Sequence, residues 1–318
     1  MDCSIVKTKF DNVWMVSTTD FFYPLVDDPY LQGKIACANV LSDLYSMGIA
    51  DCDTMLMILG ASTEMEKSLQ HTATELVMKG FNSTAAEAGT KVTGGQSVLN
   101  PWPIIGGVAT AICREEEFIR PINARVGQVL VQTKPLGTQL AVNANEWMRR
   151  GELEQRAPAF VAASGGLAAA CERVATLQAA ATACMIRLNR NGARAMRDHG
   201  ASAGTDITGF GVLGHARNLA QSQVARVRLQ LDTLVVLRHT PLLASDNTYF
   251  GLLEGRSAET SGGLLVCIDE ENADAFCAAV SAADGTPCWR VGRVVACDAD
   301  QQPDAFIAKD VTIVEVDL

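Results

Sequence analysis

Charged residues, aromatic residues and long apolar runs are all scarce in this sequence of 318 residues. Charged side chains make up 19% of it and aromatic ones 6%, against about 25% charged residues in ordinary globular domains. The 48% of hydrophobic residues supply enough apolar surface for a core, which excludes an intrinsically disordered protein. No stretch reaches the roughly 18 consecutive apolar residues of a membrane helix, so we expect no membrane partner. The first residues lack the basic and apolar regions of a secretion signal.

Basic residues are outnumbered by acidic ones, which gives a net charge of −10 and an isoelectric point of about 4.9. Phosphate backbones are bound by clustered lysines and arginines, so duplex nucleic acid is excluded as the main partner. A nucleotide is not excluded, because carboxylates can hold Mg²⁺ and the metal can then bind the phosphates.

The ten cysteines include no C-x-x-C pair, so a zinc ribbon or a thioredoxin-like motif is not expected. In a chain without a secretion signal, free and mostly buried thiols are the usual state. We therefore expect a reducing, cytoplasmic setting.

Strand-like and helical patterns are interspersed along the chain, which predicts an α+β fold. The length favours two domains, and the charged stretch 114–127 marks their boundary, with an N-terminal domain at 1–123 and a C-terminal domain at 124–318. Residues 151–165 are predicted to be an irregular connection, and residues 200–209 a glycine-rich turn. Apolar periodicity predicts strands near 13–20, 53–60, 91–99, 104–113, 128–133, 226–231, 263–268, 289–296 and 311–316, and helices near 30–48, 64–88, 137–150, 166–188 and 210–221.

Several acids lie at the ends of predicted elements, beside small polar residues or glycine. Asp20 closes a strand, and Asn39 and Asp43 share one face of a helix among apolar neighbours, where a lone carboxylate is costly. Asp206 precedes a helix, and Asp2 lies at the start of the chain. Converging carboxylates repel one another, and a divalent metal would relieve that repulsion. Each acid also has an ordinary alternative, since Asp206 could cap a helix and Asp43 could pair with Lys34.

Glycines provide the second candidate feature. The segment Thr93-Gly94-Gly95-Gln96-Ser97 could form a turn whose backbone N–H groups bind an anion, or an ordinary glycine bulge. No P-loop and no protein-kinase signature is present. The G-x-G-x-x-G match at 209–214 lacks a long parallel strand before it and an acid after it, so we do not interpret it as a dinucleotide site. Lys134 and His215 are weaker candidates, for phosphate binding and for a core or capping role respectively.

Taken together, the motifs resemble those of selenophosphate synthetases (selenide, water dikinases), particularly the eukaryotic-type members. The resemblance spans nearly the whole chain, and is thinnest at 145–165, at 221–250 and in the tail. Its matching segments are 18–30, 33–48, 93–96, 100–102, 133–139, 205–215 and 259–265.

The resemblance implies a two-domain fold like that of aminoimidazole ribonucleotide synthetase, with the N-terminal domains pairing in a homodimer. It implies a kinase of selenium metabolism and selenocysteine biosynthesis that converts ATP, selenide and water to selenophosphate, AMP and phosphate. Phosphoryl transfer mostly needs positioning and charge neutralisation, which bound Mg²⁺ would supply. The residues that match the family's metal-binding carboxylates are Asp2, Asp20, Asp43 and Asp206. Those that match its nucleotide contacts are Asp20, Asn39, Thr93, Gly94, Gly95, Gln96 and Ser97.

One departure from the family concerns its glycine-rich segment, which carries a cysteine or selenocysteine and a lysine upstream of the first metal-binding aspartate. The resemblance implies that this pair lies upstream of Met1, because Cys3 and Lys7 follow Asp2 and do not match it. No catalytic residue is therefore assigned, and we expect an N-terminally truncated form whose own activity is in doubt. The alternatives are a non-catalytic, nucleotide-binding paralogue and another ATP-using enzyme of the same fold, such as a thiamine-phosphate kinase or a purine-pathway synthetase.

Overall fold

A computed structural model describes residues 2–318 of the chain. Met1 lies outside the described residues, so the prediction that the family's cysteine or selenocysteine and its lysine lie upstream of Met1 is not tested by the structure and stays a prediction. Contacts divide the chain into two compact units. The first unit contains residues up to Arg120 together with Ile186–Asp198, and the second contains Pro121–Met185 and His199–Leu318.

Helices and strands are interspersed along both units, as the α+β prediction requires. The strands are β1 (Ser4–Lys7), β2 (Trp14–Phe22), β3 (Thr54–Ser62), β4 (Val92–Asn100), β5 (Ile104–Cys113), β6 (Val129–Gln132), β7 (Ala203–Asp206), β8 (Val227–Leu237), β9 (Leu264–Ile268), β10 (Trp289–Ala296) and β11 (Asp304–Val316). The helices are α1 (Pro29–Ser46), α2 (Lys67–Glu87), α3 (Thr138–Arg149), α4 (Leu153–Arg156), α5 (Pro158–Ser164), α6 (Leu167–Ile186), α7 (Arg190–Asp198), α8 (Gly211–Gln221), α9 (Thr240–Asp246) and α10 (Glu270–Asp284).

The first unit is built on a five-stranded sheet in the order β1-β2-β5-β3-β4. Its pairs are antiparallel except for β3 and β4, which run parallel. Helix α1 packs on β2 and β5, and α2 packs on α1. Two glycines allow the helices to approach closely, because a Cβ on Gly33 would lie 2.0 Å from the Val77 oxygen and one on Gly80 1.9 Å from the Tyr30 oxygen.

Residues 186–198 return from the second half of the chain to the first unit. The Asn189 side chain donates to the buried Ser42 hydroxyl (2.9 Å), and the Arg190 Nε donates to the Ala50 carbonyl (2.9 Å). The predicted division into 1–123 and 124–318 does not include this return, because residues that pack on α1 give no local signal of their distant partner. The contacts also place the first division slightly earlier, after Arg120.

The second unit is built on a six-stranded sheet in the order β11-β8-β10-β6-β9-β7. Its pairs are antiparallel except for β8 and β11, which run parallel. Helix α8 packs against β7, β8 and β11, and α10 packs against β6. Among the residues described, no single helix has the length and apolar composition to span a membrane, although α5 and α6 meet those limits as a pair bent by 102°.

Two segments differ from their predicted structure. The glycine-rich turn predicted at 200–209 contains the short buried strand β7, and the irregular connection predicted at 151–165 contains helices α4 and α5. Both consist of small residues whose periodicity is weak, so tertiary packing decides their conformation.

Candidate functional site

Helix α1 carries two of the predicted site residues and is buried almost throughout. It begins after Asp28, whose carboxylate accepts from the backbone N–H groups of Tyr30 (2.8 Å) and Leu31 (3.3 Å), and Pro29 takes the first helical position. This N-cap satisfies donors that the first turn leaves without partners. Every residue from Ile35 to Ser46 is buried, so the polar side chains on this stretch lie inside the unit.

Asn39 and Asp20 are brought together, as the sequence predicted for two residues of one site. The Asn39 amide donates to the Asp20 carboxylate at 3.0 Å, which joins α1 to β2. Burial, and after it the nearby charge of Asp2, raise the pKa of the Asp20 carboxyl to about 6, and only the Asn39 hydrogen bond lowers it. The negative charge of Asp2 therefore adds to that of Asp20, and the hydrogen bond from Asn39 offsets the repulsion only in part.

Asp43 lies one helical turn beyond Asn39 and is also buried. It accepts a short hydrogen bond from the Thr18 hydroxyl, whereas Lys34, its alternative partner, pairs with Glu87 at 3.8 Å. The Ser46 hydroxyl donates to the Asp43 carbonyl at 2.7 Å and reaches the Asp2 carboxylate at 3.4 Å. The start of the chain, β2 and α1 thus bring three carboxylates to one region of the first unit.

The donor set of this region fits Mg²⁺. The carboxylates of Asp2, Asp20 and Asp43 supply hard oxygen ligands, the kind that Mg²⁺ and Ca²⁺ prefer over nitrogen or sulfur. The raised pKa of Asp20, caused by burial and by Asp2, is the physical sign that a cation would be favourable here. We call this set of residues, with Asn39 and Thr18, the acidic cluster.

Thr93–Ser97 lies in the strand that was predicted near 91–99 and does not form the anion-binding turn that its glycines also allowed. These residues belong to β4, which pairs in parallel with β3 at the edge of the sheet, because β3 offers backbone partners that a turn would leave unused. Gly95 has φ +142°, and a Cβ there would lie 2.0 Å from the Met57 oxygen, so glycine is required for the pairing. Strands β5 and β3 lie between β4 and β2, which separates this segment from the Asp20 strand by about 14 Å at ordinary strand spacing.

Asp206, the fourth predicted carboxylate, lies in the second unit at the end of β7, opposite Leu264 of β9. It is buried. It does not cap α8, because that helix begins at Gly211 after Phe210 and has no side-chain cap. The next residue, Ile207, donates its N–H to the Gly263 carbonyl (2.9 Å), so the loop after β7 is fixed by the segment 259–263.

His215 contacts the same loop, the one that follows β7, through Thr208 and Phe210. Its Nε2 lies 3.1 Å from the Thr208 hydroxyl and accepts from the Phe210 N–H at 3.4 Å. The imidazole is buried and stacks obliquely on the Phe210 ring. These contacts agree with the core or capping role predicted for this histidine.

Two buried charged residues of the second unit, Glu259 and Lys134, belong to a polar network that was not predicted from the sequence. The Glu259 carboxylate accepts from the Gly137 N–H (2.7 Å), the Thr138 N–H (2.9 Å) and, through a short bond, the Thr138 hydroxyl at the start of α3. Its own N–H donates to the Thr208 carbonyl at 3.0 Å. Lys134, fully buried, donates from Nζ to the Ser261 carbonyl at 2.7 Å. The sequence signal for this network was the segment 259–263, Glu-Thr-Ser-Gly-Gly, in which a charged residue stands a few positions before the buried strand β9.

Complete burial dominates the electrostatics of Glu259. Burial raises the pKa of this carboxyl to about 7, and the three hydrogen bonds from Gly137 and Thr138 lower it only in part. The anion is favoured by the N-terminus of α3, where helix dipole and free N–H groups attract negative charge. Glu259 therefore links α3 to the loop that carries Asp206.

Two protein-family models match the chain. The model described as AIR synthase related protein, N-terminal domain, covers residues 1–113, and the model for the C-terminal domain of the same proteins covers residues 125–301. Together they account for most of the chain.

Relatives and solved structures agree with these matches. A selenide, water dikinase of Dictyostelium discoideum is 50% identical over 314 residues, which cover 98% of this chain and 83% of that protein. Thiamine-monophosphate kinase from Stenotrophomonas maltophilia K279a superposes with a TM-score of 0.68 at 17% identity, covering 95% of this chain and 87% of the other. The structure titled AaThiL complexed with AMPPCP and TMP superposes with a TM-score of 0.66 at 16% identity, covering 96% and 86%. At these identities the two structures show the fold alone.

Proposed function

The chain belongs to the selenide, water dikinase family, a family of phosphotransferases, and from this premise we propose that it makes selenophosphate. The proposed reaction consumes ATP, selenide and water and releases AMP and inorganic phosphate. The observation that carries the proposal is the acidic cluster, in which burial and the charge of Asp2 raise the pKa of Asp20 to about 6. Such a cluster is suited to hold Mg²⁺ against a polyphosphate.

In this proposal Asp2, Asp20 and Asp43 hold the metal, and Asp206 is a predicted further ligand. When bound, Mg²⁺ would neutralise charge on the phosphate oxygens and polarise them toward attack. The chain's own contribution is to fix the ligands in advance. Asn39 donates to Asp20 (3.0 Å) and Thr18 donates to Asp43, so each carboxylate presents a defined oxygen and little reorganisation accompanies binding.

ATP is the proposed phosphoryl donor, and Thr93–Ser97 are its proposed backbone and side-chain contacts. Support comes from the related fold of AaThiL, whose title records a complex with the ATP analogue AMPPCP. The exposed β4 edge leaves the Gln96 and Ser97 side chains accessible to a ligand.

Nucleotide product analysis tests the reaction. The chain is incubated anaerobically with ATP, Mg²⁺ and selenide, and AMP is resolved from ADP by chromatography. AMP that depends on selenide supports the proposal, whereas selenide-independent ADP would point to another kinase of the same fold.

A ligand variant tests the metal assignment separately from turnover. Asp43→Asn removes one proposed ligand, so we expect Mg²⁺-dependent ATP binding measured by calorimetry to weaken at least tenfold, about 1.4 kcal/mol. Asp11→Asn, an exposed aspartate of the same unit, is the matched control and should bind normally. Unchanged binding by Asp43→Asn, with the fold intact, would remove Asp43 from the metal site.

The second candidate is a non-catalytic, nucleotide-binding paralogue of the family. It is supported by the acidic cluster as much as the enzyme is, because these carboxylates are suited to Mg²⁺ and a nucleotide whether or not a catalytic thiol is present. This candidate predicts Mg²⁺-dependent ATP binding without selenide-dependent AMP. Repeating the product analysis on an N-terminally extended chain distinguishes it from a truncated enzyme, because only the enzyme would then release AMP.

We also propose that the protein is a homodimer that pairs through the uncovered face of the first sheet. The strand registers place five apolar side chains on the face opposite α1 and α2. Each is exposed over more than a third of its surface; they are Met15, Phe21, Leu56, Val98 and Ile112. A contiguous apolar face of this kind is typical of an interface between subunits.

Light scattering tests the dimer with a charge placed on that face. Val98→Asp should convert the dimer to a monomer, because an unpaired carboxylate in the interface is strongly unfavourable. Val224→Asp, at an exposed valine of the second unit, is the control and should leave the mass unchanged. An unaltered dimer in Val98→Asp would place the interface elsewhere.

A cytoplasmic location is the remaining proposal. It is supported by the ten cysteines, all of which are free thiols, as expected in a reducing compartment. Cell fractionation with a tagged chain would test it.

A further inference from the structure

Two cysteines of the second unit face each other where α10 and β10 meet. Cys277 lies in α10 and Cys288 directly precedes β10. Both side chains are partly exposed, and the two thiols are joined by a hydrogen bond. Other cysteines, such as Cys37 and Cys267, are buried in apolar surroundings instead.

An independent ion-pair network holds these two elements together at the same place. Arg290 contacts Asp274 at 2.8 Å and Glu270 at 3.6 Å. Asp274 and Cys277 are three residues apart on one face of the helix, and Cys288 and Arg290 are two residues apart on the approach to the strand. The helix face that contacts Arg290 is therefore the face that carries Cys277, and the ion pairs hold the segment that contains Cys288 beside that face.

The surroundings of Cys277 favour its thiolate form. The hydrogen bond from Cys288 lowers the pKa of Cys277, and the charge of Arg290 lowers it further, against opposing contributions from burial and Asp274. Burial instead raises the pKa of Cys37, Cys113 and Cys267. Thiolate character and access together determine which cysteine reacts with an oxidant.

We propose that Cys277 and Cys288 form a redox-modification site, which hydroperoxides convert reversibly to an intramolecular disulfide. The Cys277 thiolate attacks the terminal oxygen of the hydroperoxide, the O–O bond breaks, and the leaving alkoxide takes a proton to become an alcohol. Cys277 is then a sulfenic acid. The Cys288 sulfur attacks it, the S–O bond breaks, and water leaves with the proton of Cys288. In sum, two thiols are oxidised by two electrons and one hydroperoxide is reduced to alcohol and water. Thiol exchange with a dithiol restores both cysteines.

The disulfide would fix the last turns of α10 to the start of β10. The connection between them includes Gly285, whose φ of +71° ends the helix in a left-handed turn. No atom lies within 4 Å of where a Cβ on Gly285 would be, so this turn has room to adjust as the sulfur atoms approach bonding distance.

Peptide mapping of the whole chain tests the site. Folded protein is treated with substoichiometric tert-butyl hydroperoxide, its remaining thiols are alkylated in denaturant, and the digest is analysed without reduction. We expect a cross-linked peptide containing Cys277 and Cys288, a fall from ten to eight alkylated cysteines, and full recovery with dithiothreitol. Cys171 is partly exposed without a thiol neighbour at this site and is the internal reference that should stay alkylated.

Two variants assign the order of events. With Cys288→Ser the sulfenic acid cannot be resolved, so dimedone should label Cys277; with Cys277→Ser the oxidation of Cys288 should slow at least tenfold. The proposal is overturned if Cys277 and Cys288 stay separately alkylated while Cys171 is oxidised. It is equally overturned if either cysteine links to a different partner, or if the cross-link forms only in denaturant.

Discussion

The carboxylate of Glu259 allows a test of whether the cost of burying its charge exceeds the stabilisation from its hydrogen bonds. Replacing it by Glu259→Gln keeps the shape of the side chain and removes its charge. Three donors from Gly137 and Thr138 surround the carboxylate, and the variant can accept only with its single amide oxygen. The variant therefore resembles the protonated form of the native side chain, and the comparison isolates the effect of the charge.

The magnitude follows from the pKa of Glu259, which burial raises from 4.5 to about 7. Because the folded-state value lies above that of the unfolded chain, the folded protein retains a proton that the unfolded chain has released between these two pH values. The stability from this group is therefore fully present below about pH 4.5 and is lost as the pH rises to about 7. At about 1.4 kcal/mol for each pH unit, the loss amounts to about 3 kcal/mol.

Urea denaturation at about pH 5 and about pH 8 measures this difference. We expect Glu259→Gln to unfold at a similar urea concentration to the native chain at the lower pH. At the higher pH it should be more stable by up to about 3 kcal/mol, or several degrees in unfolding temperature. Glu271→Gln, at an exposed position in the first turn of α10, is the control and should show no such pH dependence.

A variant that is less stable than the native chain at the higher pH would refute this reasoning. That result would mean that the donors at the start of α3, together with its dipole, stabilise the anion by more than burial costs it. The folded-state pKa would then lie below 4.5, and native stability would rise with pH instead of falling.

Two further predictions concern the first unit. Gly80→Ala should destabilise the chain by about 3 kcal/mol in urea denaturation, because its Cβ would lie 1.9 Å from the Tyr30 carbonyl oxygen and force α2 away from α1. Gly209→Ala, whose Cβ meets no atom within 4 Å, is the control and should be nearly neutral. A small loss of stability in Gly80→Ala would contradict the close approach of the two helices. Thr18→Val removes the hydroxyl that donates to Asp43, so Mg²⁺-dependent ATP binding by calorimetry should weaken about tenfold. Thr110→Val, which loses only a hydroxyl contact to Ser17 on the other face of the sheet, is its control, and equal affinities for the two variants would argue against a role of Thr18 in the acidic cluster.

Most of the regular elements were predictable from periodicity because their apolar faces are well defined. The helix predicted near 30–48 is α1, and the strand predicted at 289–296 is β10. The elements that were missed are short, edge or amphiphilic ones. Helix α10 was not predicted, although its first turn is acidic and Gly285 ends it, because only Ala273, Phe276 and Val280 form its buried stripe and so few apolar positions give a weak periodic signal.

The site was predictable in part, and for a clear physical reason. Asn39 and Asp43 lie four residues apart in a helix, so local geometry alone places them on one face, and the structure brings Asp20 and Thr18 to that face. The strand predicted near 91–99 is β4, but its pairing with β3 was not predictable, because that pairing joins residues far apart in sequence. Glycine there signals a close backbone approach to Met57, and a turn and a strand edge produce the same local signal.

Two carboxylates with raised pKa values, the half-buried Asp20 and the buried Glu259, indicate how a ligand carboxylate can be distinguished from a structural one. Burial is the largest cause in both. The second cause differs in sign. For Glu259 it is a set of N–H and O–H donors that lower the pKa, so the protein itself compensates the anion in part. For Asp20 it is another carboxylate, Asp2, that raises the pKa further. Bringing a second negative charge to a half-buried aspartate destabilises the free protein, and either a bound cation or protonation relieves the repulsion. This difference supports the proposal of Asp20 as a metal ligand and the interpretation of Glu259 as an anchor for the loop after β7, a distinction that the pKa values alone, about 7 and about 6, would not reveal.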